Sequence, residues 1–427
     1  MGGNLKHANI KLNNIDKKIA ILLFVRFAGV AVSAVTHFVS IKVFVKQFPQ
    51  ISAEMVSVYN WLGIVPIIQL GFGKPIYSKI RFEHHAALCC EKTLNSARRL
   101  MNQLAFVAIV VYVTLSASVI WGKMSITNLV SVIVFSIGIG IQSLGLYQKD
   151  VAYAISKEML YESTELARRS LLLVGIILLS FGVNILIVGG VEIVFGLILF
   201  NLSNSVLYST VTEGYDEQFV SNLWTHARKC FVFSFSEYLI YNSAFVYCLI
   251  NNLGSDLIYV VVWNRVYQII VLPMRMFIES RLNQQTLLFY SKSIRELKRS
   301  LEVNAVVALF SVVLMILLSI KFNKNISAWL NVQIDLFNPV IFLSFFLWAG
   351  ANAIQHTYAS FLMSQTCAFD FGLKISGVFL GITWIIMLVA VFVSDSIKVA
   401  LAVNGFSMVL MAILYLQRTN MLIRIRN

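Results

Sequence analysis

The sequence predicts an all-α, polytopic membrane protein with twelve transmembrane helices in two sets of six. Three observations lead there. The 427 residues are 58% hydrophobic and only 13% charged, about half the charge of a soluble domain. Mean hydropathy is +0.79. Apolar stretches of the ~20 residues that cross a bilayer recur along the whole chain. Lipid is then the solvent for most of the surface.

The elements follow in order. Residues 1–18 are polar and basic and form an N-terminal tail. No cleavable signal peptide is expected, since the first apolar stretch is long enough to span and no small-residue cleavage site follows it. An N-terminal lobe, 19–208, holds spans near 19–40, 54–72, 103–122, 126–147, 170–188 and 191–208. Gly189-Gly190 is expected to turn the chain between the fifth and sixth, as glycine permits a tight turn at little steric cost. Residues 209–229 link the lobes. A C-terminal lobe, 230–416, holds spans near 230–251, 256–276, 303–322, 337–358, 373–393 and 397–416, and 417–427 form a tail.

Lys and Arg in the loops set the orientation. With the N-terminus in the cytoplasm, the outward loops hold only Lys42, Lys46, Lys123, Lys321, Lys324 and Lys398 of the 34 basic residues. Arg26, Arg265 and Arg275 lie inside spans, and all the others fall on the cytoplasmic side. Both termini are therefore expected in the cytoplasm. The net charge of +14 does not imply nucleic acid, because the basic residues occupy short loops and no basic domain.

The two longest loops, 73–102 and 277–302, hold similar positions in each half and read as amphipathic helical extensions. Arg81 and Arg98-Arg99 in the first recur 200 residues later as Arg281 and Lys298-Arg299. Two six-span repeats would have parallel topology, related by an axis along the membrane normal. The five cysteines lack metal-ligand spacing, and His84-His85 has no nearby partners that would make a site. No Walker A motif or soluble domain is present, and the longest outward loop is about 14 residues. No enzyme is expected.

A guanidinium inside a span costs about 2.5–3.5 kcal/mol on insertion scales, so three of them ask for a purpose. A cation at membrane depth facing a cavity suits an anionic cargo. In span eight, Asn264, Arg265, Gln268, Leu272, Arg275 and Glu279 recur at three- and four-residue steps and share a face. Pro273 sits beside that stripe. Arg275 is near the helix end, where snorkelling is the alternative to a cargo contact. Arg265 is deeper, and snorkelling explains it poorly. In span one, Arg26, Ser33 and His37 share a face with Gly29 between them, and snorkelling is again an alternative for Arg26. His37 is a titratable group near neutral pH or a structural hydrogen-bonding group. Span seven holds Glu237, read as the only acid well inside a span, with Ser234 and Tyr241 on its face. It is a charge partner of Arg265 or Arg26, a proton carrier, or a sodium ligand. Asn352, Gln355 and His356 in span ten line a polar path or join helices by hydrogen bonds. Pro66 and Pro273, in spans two and eight, mark bends at comparable places.

Two segments resemble the polysaccharide-transporter branch of the multidrug/oligosaccharidyl-lipid/polysaccharide exporter superfamily, and within it the O-antigen flippases. They are Arg26-Phe27-Ala28-Gly29 in span one and Gln69-Leu70-Gly71-Phe72-Gly73 at the end of span two. Members often read Asp-Leu-Gly-Leu-Gly at the second, so Gln69 replaces an acid and no role is carried over to it. The resemblance covers the whole chain through its twelve spans and its long loops after spans two and eight. It implies two six-helix lobes around a central cavity that opens alternately to each side, lined by spans one, two, seven and eight. Arg26, Glu237, Arg265 and Arg275 fall on three of those spans.

The implied cargo is an oligosaccharide on undecaprenyl diphosphate, moved across the bacterial inner membrane. Arginine grips phosphate oxygens in a planar fork. Arg265 and Arg26 are the expected diphosphate ligands and Arg275 an entry contact, with Asn264 and Gln268 beside them. Glu237 and His37 are the candidates for coupling or charge pairing. The partners expected are the lipid-linked oligosaccharide, membrane lipids and polysaccharide-assembly proteins, around a monomer. No cofactor or metal is expected, and proton or sodium coupling is open. A drug exporter of the same superfamily and a polysaccharide polymerase are the rivals. Cationic drugs call for acids in the cavity, and polymerases work from a large outer loop.

Overall fold

The computed structural model describes residues 2–69, 72–85, 91–208, 214, 216–251, 254–330, 339–364, 369–393 and 397–426. Among the described residues every regular element is a helix, as the composition requires. The chain divides into two compact units, Met1–Phe231 and Val232–Asn427.

The first unit contains α1 (Gly2–Gln47), α2 (Ser52–Trp61), α3 (Val65–Gln69), α4 (Gly73–His85), α5 (Glu91–Ile120), α6 (Ile126–Gln142), α7 (Lys149–Ala154), α8 (Glu158–Ser180) and α9 (Ile185–Leu207). The division falls within α10 (Glu217–Tyr241). The second unit continues with α11 (Ser243–Ile250), α12 (Gly254–Tyr290), α13 (Ile294–Leu330), α14 (Pro339–Ser364), α15 (Phe369–Val393) and α16 (Ile397–Arg426). The twelve spans map onto α1, α2–α3, α5, α6–α7, α8, α9, α10–α11, α12, α13, α14, α15 and α16. Eight stretches among the described residues are long and apolar enough, on their own, to cross a membrane.

Three spans are broken, α2–α3, α6–α7 and α10–α11, and the first two have a local reason in the sequence. A 3-10 turn, Leu62–Ile64, separates α2 from α3 just before Pro66, whose ring removes the N–H that would bond the Leu62 carbonyl. Another 3-10 stretch, Ser143–Gln148, separates α6 from α7 and contains Gly145. By contrast, α12 runs without interruption through Pro273.

The turn between the fifth and sixth spans is not at Gly189-Gly190. It lies at 181–184, where Gly182 takes φ +84° and the Asn184 side chain accepts the Leu186 N–H at 2.9 Å to cap α9. Gly189 and Gly190 lie within α9. Gly189 is needed there for contact: a Cβ on it would sit 2.7 Å from both the Cα and the N of Phe135 in α6. The second unit repeats this device in the corresponding helix pair. A Cβ at Gly405 of α16 would sit 2.9 Å from the Ser344 carbonyl oxygen of α14. Small residues of this kind let membrane helices gain dispersion contact where no hydrophobic effect drives them together.

In the first unit α1 packs on α8, α6 and α8 on α9, α2 and α3 on α5, and α4 on α7. In the second, α14 packs on α16, α12 on α13 and α14, and α15 on α16. Helices α12 and α13 are each 37 residues long and join through a turn at Lys292, which takes φ 59°. Arg281 donates to Asn304 at 3.1 Å and Gln285 to Ser300 at 3.0 Å, tying the two together. The outer face of α13 exposes Val306, Phe310 and Leu317, as a lipid-facing helix should.

Candidate functional site

The first unit holds a charge cluster on α1, α7 and α8. Arg26 reaches from α1 to α8, with its Nε 3.1 Å from Glu162 Oε1. Its Nη2 donates to the Tyr153 hydroxyl at 3.0 Å, and that hydroxyl donates to the same Glu162 oxygen at 2.5 Å. The guanidinium also lies over the Tyr153 ring, 5.7 Å from its centroid. One turn along α8, Arg169 Nε donates to Glu165 Oε1 at 2.8 Å, and Arg168 Nε stands 3.4 Å from Glu165 Oε2.

Arg168 is the most enclosed of these cations, only 1% exposed. Its guanidinium lies against Gly145 of the 3-10 stretch, at a place where a Cβ would overlap it. None of its nitrogens has a hydrogen-bond partner among the described residues, so the ion pair with Glu165 is what holds it.

Glu192 lies in the interior of α9 and is 2% exposed. The Gln142 side chain of α6 donates to its Oε2 at 2.7 Å and to its backbone carbonyl at 3.1 Å. The expectation that Glu237 is the only acid well inside a span therefore fails. The misplaced turn put Glu192 at the edge of a span, whereas α9 begins at Ile185.

The second unit holds a separate polar cluster. Gln355 of α14 is 1% exposed and bonds α10 at two points. Its Nε2 donates to Glu237 Oε1 at 2.9 Å, and its Oε1 accepts from the Tyr241 hydroxyl at 2.7 Å. Glu237 and Tyr241 are one helical turn apart, which lets one amide engage both. Arg265 of α12 is half-buried and near enough to the Tyr238 hydroxyl to act on it electrostatically.

The expected site residues thus fall into two groups. Arg26 and His37 belong to the first unit, where the His37 ring meets Tyr59 edge-on at 5.1 Å. Asn264, Arg265 and Glu237 belong to the second, with Asn264 half-buried on α12. The side chains of Gln268, Pro273, Arg275 and Glu279 lie outside the described residues, as does that of Gln69. Gln355 makes interhelical hydrogen bonds, one of the two uses expected of span ten. Sequence reasoning missed Glu162, Glu165 and Arg168 because it assigned 148–169 to a loop. A signal was there: Glu158, Glu162, Glu165, Arg168 and Arg169 repeat at three- and four-residue steps, which is one helix face.

Solved structures share this architecture. An inward-facing multidrug resistance MATE family transporter of the MOP superfamily matches with a TM-score of 0.67 at 9% identity, over 94% of this chain and 98% of that one. The MATE multidrug transporter DinF-BH matches at 0.62 and 14% identity, over 94% and 95%. A MOP superfamily transporter from Pyrococcus furiosus, described as having a binding pocket of reverse polarity that suggests a different function, matches at 0.63 and 9%, over 96% of each chain. No family model and no curated protein matches. The class is defined by these likenesses: this is a multi-pass membrane protein with the fold of MATE transporters of the MOP superfamily. Within that class, the charged cluster of the first unit and the polar residues with Arg265 in the second are the features from which a cargo is argued.

Proposed function

We propose that the chain is a transporter that moves an amphiphilic cargo across the bilayer by alternating access, and that the cargo is an undecaprenyl-diphosphate-linked oligosaccharide such as an O-antigen repeat unit. The observation that supports an anionic cargo is Arg265. It stands eleven residues into α12, about 17 Å along an apolar helix, and so is held at membrane depth at a cost that a phosphate ligand would offset. Asn264 is next to it, and Gln268 and Arg275 belong to the same helical stripe. Arg26 is a weaker diphosphate ligand than the sequence suggested, because Glu162 already neutralises it. The bacterial inner membrane, with both termini cytoplasmic, is the setting this reading requires.

Export of cationic drugs is the second reading, and two observations favour it. The structural neighbours include transporters described as multidrug. The buried acids Glu162, Glu165 and Glu192, even with Arg168 and Arg169 beside them, also narrow the excess of arginine over acid that argued against drugs. Likeness of fold favours this second reading, and the chemistry of Arg265 favours the first. A strain lacking the protein separates them. The first expects lipid-linked repeat units to accumulate facing the cytoplasm and surface polysaccharide to be lost. The second expects normal polysaccharide and greater retention of a cationic fluorescent dye. Arg265→Ala, at unchanged protein level, should reproduce the loss of polysaccharide. Normal polysaccharide in that variant would overturn the flippase reading.

A further inference from the structure

The carboxyl of Glu192 counts among the buried acids whichever cargo is carried, and its surroundings are specific. It lies at the junction of α6, α8 and α9, within the apolar part of the first unit. Glycines make the space for it: a Cβ at Gly175 of α8 would overlap Glu192 Oε1, and one at Gly138 of α6 would sit 2.9 Å from Glu192 Cβ. Among the described residues no cation pairs with it. A buried carboxylate with no counter-ion is among the costliest groups a protein can hold, and a proton is the smallest ligand that removes the charge.

From this geometry we infer that Glu192 is a proton-binding site built into the first unit, with Gln142 as its positioning residue. Gln142 satisfies both protonation states. When Glu192 is ionised, the Gln142 amide N–H donates to it at 2.7 Å. In that arrangement Gln142 Oε1 is buried and has no hydrogen-bond partner. When Glu192 takes a proton, its O–H becomes a donor, and rotation of the Gln142 amide presents Oε1 as the acceptor. The unpaired oxygen is therefore the acceptor that the second state needs.

The groups that face Glu192 from the packed helices fit this role. Helix α6 has no ionisable side chain, and Glu192 is the only one on α9. On α8 the charges closest in sequence are Arg169 and Arg168, six and seven residues before Gly175, with Glu158, Glu162 and Glu165 further toward that end of the helix. The 3-10 stretch contributes Tyr147, whose hydroxyl donates to the Val65 carbonyl at 2.8 Å. Gln142 precedes Gly145 by three residues, and Gly145 is the bed of the Arg168 guanidinium. One short segment thus touches the proton site at one end and the α8 charge cluster at the other. The site does not depend on which cargo is carried.

Infrared difference spectroscopy of the full chain in lipid nanodiscs, with the proton itself as the probe, tests this. An acid-minus-alkaline spectrum of the unaltered protein should contain a protonated-carboxyl C=O band that Glu192→Gln lacks. In Gln142→Leu that band should titrate at higher pH, because the ionised form loses its donor. Identical spectra for the unaltered protein and Glu192→Gln would overturn the inference. So would a Gln142→Leu titration that coincides with the unaltered one, and this second variant decides the matter if Glu192→Gln does not fold.

Discussion

Replacing Gly189 and Gly190 by alanine, one at a time, separates two roles for a glycine pair. The Cβ of Gly189→Ala would lie 2.7 Å from Phe135 Cα and N and 2.9 Å from the Val134 carbonyl carbon. All three are backbone atoms, so no side chain can rotate away. To restore an ordinary contact of about 3.4 Å, α6 and α9 must part by about 0.7 Å, and overpacking of this kind costs about 1–3 kcal/mol. A radial gap of ~0.5–1 Å also forfeits a quarter to a half of each dispersion contact beside it. Gly190→Ala meets nothing within 4 Å. It should gain up to about 1 kcal/mol of helix propensity, a gain both variants share. The expected difference between them is therefore about 1–3 kcal/mol, with Gly189→Ala the less stable. Unfolding of each purified variant in mixed micelles of graded SDS content, followed by tryptophan fluorescence, measures that difference. Equal destabilisation by both would refute the helical placement and restore a turn at this pair.

Gly182→Ala should lose about 1–2 kcal/mol in the same unfolding measurement, because φ +84° is strained for any residue with a Cβ. Asn184→Ala should lose about 0.5–2 kcal/mol with the cap of α9, and Asn184→Ser should recover most of it. A double-mutant cycle on Arg26→Ala and Glu162→Ala should give a coupling of about 1 kcal/mol or less, since Arg26 is 36% exposed and screened. Gly145→Ala should be the most damaging of the set, above about 3 kcal/mol, because its Cβ would displace the buried Arg168 guanidinium from Glu165. Retained yield and an unchanged unfolding midpoint in Gly145→Ala would contradict the placement of that guanidinium.

The fold class was legible because lipid imposes one rule on every span, and length with hydropathy expresses it. The failures have local causes. Glycine is ambiguous in a membrane sequence: Gly189 serves close packing and Gly182 serves a turn, and composition alone does not separate them. Charge was read as a sign of loop, yet α8 carries Glu162, Glu165 and Arg168 buried against other helices. Their mutual neutralisation makes that burial tolerable, and a hydropathy window has no view of partners contributed by α1 and α7. Arg26 was found from its depth, while its partner Glu162 was 136 residues away and visible only in the fold.

The two 37-residue helices α12 and α13 would each measure about 55 Å at 1.5 Å per residue, against a hydrocarbon core of about 30 Å. Even tilted, the pair outruns the membrane, so the turn at Lys292 stands well clear of the lipid. The overhang of α12 is bound to α13 through Arg281–Asn304 and Gln285–Ser300, so it behaves as a stiff arm more than as a loose loop. A stiff arm converts a small change of tilt inside the bilayer into a larger sweep at its free end. A spectroscopic label at Ser291 or Ser293 would read that sweep from the aqueous side.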